Sequence, residues 1–173
     1  MQGSSVLLAL LKEIDPTMPY GTDLYNALAK LTPSVGLEAV CIRCSPQTEA
    51  IEVYLVQRSL DDTAYPGQWH APGSVLRSSD PDEESVFDRL VAKEFGGAQL
   101  FSKQFVTRIY HPTSSRGCFM CLVYLCVLEE STRLSGKWFS IDRLPKNTIR
   151  VHRHRIIPAA LGAFVAQYSN ICR

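Results

Sequence analysis

Three side chains one helical turn apart, Leu90, Lys93 and Glu94, decide what chemistry the most acidic part of this chain can perform. The segment from Asp82 to Phe95 is expected to be a helix stopped by Gly96-Gly97. Positions three and four apart on a helix share a face, so carboxylates placed there converge on a small volume. Hard ions such as Mg or Mn bind oxygen ligands gathered in such a volume and can generate a nucleophilic water. Here the face offers an apolar group, a cation and one carboxylate. Lys93 opposes a metal ion by like-charge repulsion, and a single carboxylate is a poor hold for a divalent ion.

Other groups add to this inventory. Asp80, Asp82, Glu83 and Glu84 lie at the start of the helix, where acids ordinarily cap it and complement its dipole. Glu129 ends the apolar run VYLCVLE, where it is either a further metal ligand or a solvated strand end. The run IRVHRHRII carries Arg150, His152, Arg153, His154 and Arg155. Guanidinium groups match phosphate oxygens, but no aromatic platform interleaves them, so a solvated basic face is expected. Cys41 with Cys44, and Cys118 with Cys121, have the spacing of zinc ligands. Both pairs sit in strand-like segments, EAVCIRC and GCFMCLVYLCV, where residues three apart face opposite sides. Buried small hydrophobes with reduced thiols are the expectation there.

The register around Arg89 carries a resemblance. The stretch PGQWHAPGSVLRSSDPDEESVFDRLVAKEFGG, Pro66 to Gly97, resembles a Nudix box, in which Gly, five residues, Glu, seven residues and Arg-Glu-apolar-any-Glu-Glu-any-Gly-apolar follow in order. Ser74 stands at the first Gly, five residues follow, and Asp80 stands at the first Glu. Eight residues then separate Asp80 from Arg89, one more than the pattern has. Leu90 and Lys93 replace two glutamates, Glu94 keeps the third, and Gly96 closes the helix. IEVYLVQRS, ending at Arg58 and Ser59, resembles the strand that precedes the PGxW segment. The resemblance spans about Glu38 to Tyr168.

It implies an α/β fold, a Nudix-like α/β/α sandwich with a mixed β-sheet, following an N-terminal helical extension over residues 1–34. It also implies a role for Glu94 and Glu129 in catalysis, with Asp80 joining them at a Mg or Mn ion. Arg58, His70, Arg89 and Arg116 become candidate substrate contacts, with Arg89 alternatively paired to Glu94 for structure. Rebuilding two carboxylates, through Leu90→Glu and Lys93→Glu, is expected to restore divalent-ion affinity.

Length and composition agree with one domain. The chain has 173 residues, 46% of them hydrophobic, and a formal charge of +1, so any grip on phosphate comes from local groups rather than a global field. Leu7, Leu10, Leu11 and Ile14 recur at helical spacing in a segment too short to span a bilayer. Two N-terminal helices, Ser5 to Ile14 and Thr22 to Leu31, are expected, the second capped by Thr22 or Asp23. Packing is the favoured role for them, with a pocket wall or a homodimer contact as alternatives. Strands are expected over Glu38 to Cys44, Ala50 to Arg58, Lys103 to His111, Gly117 to Leu128 and Trp138 to Ile141, then a helix from Ile156 to Tyr168. A cytoplasmic location follows from the absence of a secretory signal.

Three functions compete on this reading. One is a Nudix relative with weak or lost hydrolysis that binds a nucleotide or another diphosphate-containing small molecule, with no membrane or nucleic-acid partner. The second is an active pyrophosphohydrolase using Glu94, Glu129 and an early acid. The third, an isopentenyl diphosphate isomerase, needs histidines ahead of the WHAPGS loop, and no histidine precedes His70.

Overall fold

The computed structural model describes residues 2–15, 21–131 and 134–168. Two helices come first, α1 (Gln2–Lys12) and α2 (Thr22–Ala29). The breaks expected at Pro16, Pro19 and Tyr20 lie outside the described residues. Gly21, with φ of 78°, occupies the cap position of α2, a place expected for Thr22 or Asp23.

The central strand explains the architecture. In β1 (Ser34–Cys44), Leu37, Ala39 and Cys41 enter one apolar cluster while Val40 and Ile42 enter another. The same alternation sorts β2 (Ile51–Gln57), with Tyr54 and Val56 on the first side and Val53 and Leu55 on the second. A strand with two buried faces needs a layer over each. The first is covered by α3 (Glu84–Lys93) through Val86, Phe87 and Leu90. The second is covered by α4 (Ile157–Tyr168) through Ile157, Ala160 and Phe164.

Between those layers lies a seven-stranded sheet. It is completed by β3 (Trp69–His70), β4 (Gly73–Val75), β5 (Leu100–Ser114), β6 (Gly117–Leu128) and β7 (Lys137–Ser140). The path β3-β2-β1-β6-β5 has β4 added beside β1 and β7 beside β2. β1 and β6 are parallel, and every other pair of these strands is antiparallel, so the sheet is mixed. The two short strands β3 and β4 occupy what reads as a loop in the sequence. A π-helical turn, His152–Ile156, precedes α4.

The end of α3 is built with care because it sets the position of Glu94. Gly96 and Gly97 take φ of 60° and 86°, and Gly97 N–H bonds Val91 O at 2.9 Å, closing the helix in the left-handed manner that favours glycine. The Glu94 carbonyl accepts from Tyr54 Oη at 3.2 Å and from Ser135 Oγ at 2.5 Å. Tyr54 Oη in turn accepts from Gly136 N at 2.6 Å, and its ring packs on Phe95 and Trp138. One buried tyrosine therefore joins β2, the end of α3 and the approach to β7.

The acids ahead of α3 are spent on structure. Asp82 accepts from Ser85 N at 2.9 Å, Glu83 from Tyr124 Oη, and Glu84 pairs with Lys103. Leu90 is 2% exposed among Leu37, Tyr54 and Phe95, whereas Lys93 is exposed. With one position in the core and the other facing solvent, carboxylates rebuilt there are expected not to restore a metal site, the opposite of the expectation from spacing.

Two variants probe this layer. Leu90→Glu puts an unpaired charge in the core and costs about 3–5 kcal/mol in urea unfolding, while Lys93→Glu stays within about 0.5 kcal/mol of wild type. Neither variant, nor the two combined, gains divalent-ion binding by titration calorimetry. Tyr54→Phe strips the Gly136 N–H of its acceptor and lowers stability by about 1–3 kcal/mol, read in the same unfolding experiment.

Candidate functional site

Two carboxyl groups meet where β1, β4 and the end of α3 come together. Glu38 is a lone acid in the apolar run of β1, paired in register with Gly73. A Cβ at position 73 would lie 2.4 Å from Glu38 Oε2, so the glycine makes room for the carboxyl. The same Gly73 donates its N–H to the Glu94 carboxylate. Glu38 Oε2 and Glu94 Oε2 are both buried without a hydrogen-bond partner.

Arg58, just past β2, is the cation of this cluster. Its Nη1 donates to Asp62 Oδ2 at 3.2 Å, while its Nε is buried and unpartnered. Burial pushes the Glu38 carboxyl up to about 8, with Arg58 working against the shift and Glu94 adding to it. Burial also raises Glu94, opposed by Arg58 and Lys93. Asp62 behaves in the opposite way. Burial disfavours its charge, but the N–H groups of Tyr65 and Ala64 and the Arg116 guanidinium outweigh that, holding it well below the usual carboxylate range. Arg116 Nη2 lies 2.6 Å from Asp62 Oδ2, so one aspartate gathers both arginines.

Two histidines complete the floor. His70 and His152 are 3% and 6% exposed, with ring centroids 5.8 Å apart. Nδ1 of His70 donates to Ala71 O at 2.7 Å, and Nδ1 of His152 accepts from Ala71 N at 3.3 Å. His152 Nδ1 is also 3.9 Å from Glu38 Oε2. Burial, reinforced by Arg58, keeps both imidazoles neutral, with His152 pulled down to about 3.

The sequence candidates divide accordingly. Arg58, Arg116, Glu94 and His70 belong to this region, with His70 fastened to backbone beneath it. Asp80 and Arg89 form an ion pair of their own: Arg89 Nη2 donates to Asp80 Oδ2 at 2.9 Å and to Val75 O at 3.0 Å. Hydrogen bonding from Arg89 lowers the Asp80 carboxyl. Arg89 thus closes the loop after β4 rather than holding Glu94. Glu129 accepts from Gln99 N at 3.0 Å and joins the strand end. Ser74 is paired opposite Leu37 in β4. Among the described residues, no group of three or more His, Cys, Asp or Glu could hold a metal ion. Two carboxyls beside a guanidinium do not fit the expected Mg or Mn.

Glu38, Asp62, Gly73 and His152 are the residues that motif spacing misses. Glu38 carries its own signal, an acid inside a strand otherwise made of core residues. His152 lies within the basic run expected to be solvated, but the π-helical turn directs it inward. Arg153 likewise bonds Leu144 O at 3.2 Å and Arg155 bonds Tyr110 O at 2.9 Å, so part of that run is structural. Cys41, Cys121 and Cys126 are buried free thiols, as strand placement implies. Cys44 is disulfide-bonded, a departure from the expectation of reduced thiols.

The pKa shifts give a pH profile with a definite sign. His152, at about 3, binds fewer protons folded than unfolded between 3 and its ordinary 6.5, so stability rises with pH there. Glu38, at about 8, binds more protons folded than unfolded above its ordinary 4.5, so its contribution is lost as pH rises through 8. The two oppose each other between 4.5 and 6.5, and above that window Glu38 governs, with Glu94 in the same sense. Urea unfolding is expected to show stability falling from pH 6.5 through 8, with most of the fall removed in Glu38→Gln. An undiminished fall in that variant would assign the titration to other groups.

No family model and no curated protein matches the chain. Solved structures do. A MutT NUDIX hydrolase from Burkholderia pseudomallei matches at a TM-score of 0.56 and 22% identity, over 70% of this chain and 94% of that one. The NUDIX domain of Shewanella oneidensis NrtR, complexed with ADP ribose, matches at 0.61 and 19% identity, over 90% and 97%. The C-terminal domain of mouse MUTYH, in complex with human PCNA, matches at 0.61 and 14% identity, over 76% and 90%. At these identities the likeness concerns architecture. Taken with the mixed sheet held between α3 and α4, it shows that the chain has the Nudix fold.

Proposed function

We propose that this chain is a relative of the Nudix hydrolases that binds a nucleotide or another diphosphate-containing small molecule and hydrolyses it weakly or not at all. The observation that carries this reading is the fate of the helix carboxylates. Of the positions on α3 that hold acids in the box pattern, only Glu94 reaches the site, while Leu90 is core and Lys93 faces solvent. Asp80 is committed to Arg89, and Glu129 to the Gln99 amide. Loss of well-placed ligands costs such a centre orders of magnitude in rate.

Binding is supported by what remains. Arg58 keeps a buried Nε–H without a partner, and Arg116 lies beside it on Asp62. A guanidinium is suited to phosphate oxygens, and a neutral carboxyl at Glu38 adds no negative charge to repel them. The ADP ribose held by the NrtR domain makes that compound the first probe.

The test pairs turnover with binding. ADP ribose and a panel of nucleoside diphosphate derivatives are incubated with Mg or Mn, and phosphate release is followed after phosphatase coupling. No release above that of Glu94→Gln is expected. Without metal, a bound ligand at one hundred times its Kd stabilises by about 2.7 kcal/mol, which raises Tm by roughly 5–10 °C for a chain of this size. Metal-dependent turnover that vanishes in Glu94→Gln would establish the active-hydrolase alternative instead.

A further inference from the structure

A cavity of about 410 Å³ lies between α2 and the loop that follows β4. One wall is the N-terminal helix, which docks where β6 begins: a Cβ on Gly117 would lie 2.0 Å from Ala29 O, so the absent side chain lets α2 approach. The other wall is the meeting of β1 and β4, where Gly36 is paired with Val75 and Leu76 N–H bonds Val35 O at 2.8 Å. We propose that this cavity is a nucleobase site, holding the non-phosphate end of the ligand whose diphosphate lies at Arg58. The inference rests on the reading of the chain as a nucleotide binder and adds to it where the base is recognised.

Size, chemistry and place agree. Small-molecule sites run from roughly 300 to 1,000 Å³, mostly apolar with a few polar groups that fix orientation. Leu28, Val35 and Val75 give the cavity apolar surface for the face of a flat ring, and the exposed Arg77 offers a guanidinium plane to stack on it. Tyr25, which lines the cavity, has a buried Oη with no hydrogen-bond partner. Buried polar groups are seldom left so, and their cost is relieved when a bound group supplies the missing partner. The edge of a nucleobase carries such donors and acceptors. Val75 and Gly73 are two residues apart in β4, roughly 7 Å along the strand. The cavity is thus one nucleoside away from the Glu38 and Glu94 carboxyls that flank Gly73.

The experiment uses the full chain and three probe classes measured by titration calorimetry: the four nucleoside diphosphates, the four free nucleosides, and inorganic pyrophosphate. Leu28→Trp, which fills the cavity, is expected to weaken nucleosides and nucleoside diphosphates by about tenfold or more while leaving pyrophosphate within about twofold. Tyr25→Phe, a change that preserves packing, is expected to alter the order of preference among bases. Nucleoside diphosphates that bind with unchanged affinity and preference in both variants, yet are weakened by Arg58→Met, would overturn the base site and leave the proposed function standing. Free nucleosides that bind in a Tyr25-dependent way, with nucleoside diphosphates indifferent to Arg58→Met, would uphold the base site and overturn the reading of the carboxyl site. Wild-type protein that binds pyrophosphate but no nucleoside would overturn the base site alone, and protein that binds none of the three probe classes would overturn both.

Discussion

A strand buried on both faces accepts a carboxyl only where its surroundings make room for it and lower its cost. That constraint falls on Glu38 in β1, and the structure around it is the response. Position 73 has no side chain, Arg58 sets a positive charge nearby, and the carboxyl itself is driven toward its neutral form. Glu94 is brought to the same spot by the turn that ends α3 and by the Tyr54 hydroxyl that pins its backbone. The cluster is therefore a property of three elements together, and each is also needed for the core.

In this chain α3 is a packing element. The acids at its start cap its first turn or tie it to β5 and β6, and Arg89 makes a bidentate bond to Asp80. Exposed pairs such as Glu84–Lys103 contribute little each, whereas the Arg89–Asp80 pair is largely buried on the aspartate side. The larger share of the stabilisation comes from apolar burial of Val86, Phe87 and Leu90 against the sheet. Leucine at position 90 serves the cluster under α3, where an unpaired charge has no place.

Much of the architecture was legible because its signals are local. Apolar runs marked β1, β2 and β6, and paired glycines marked the end of α3. Strand ends moved by a few residues, since β5 runs on from Leu100 to Ser114 through positions with little apolar alternation. β3 and β4 were not legible at all: two and three residues long, they are strands only because β2 and β1 supply their partners. The same holds for the site. Glu94 and Arg58 were marked by motif and strand end, but Asp62 looked like an ordinary loop acid until Arg58 and Arg116 closed on it. His152 sat among cations that suggested solvent, and only the π-helical turn ahead of α4 turned it inward.

Sequence alone determined the class of fold and which residue types share one face of α3, because residue type and spacing along one helix or strand require no knowledge of neighbours. It determined that Lys93 and Leu90 stand at positions where the resembled pattern has carboxylates. Tertiary structure decided which acids remained available, by committing Asp80 and Glu129 to other partners and by bringing Glu38 to Glu94 from 56 residues away in the chain. It also decided their protonation, since desolvation and the field of Arg58 depend on what surrounds a group in space. Those quantities have no local signature, and they are what turns a recognisable segment into a particular site.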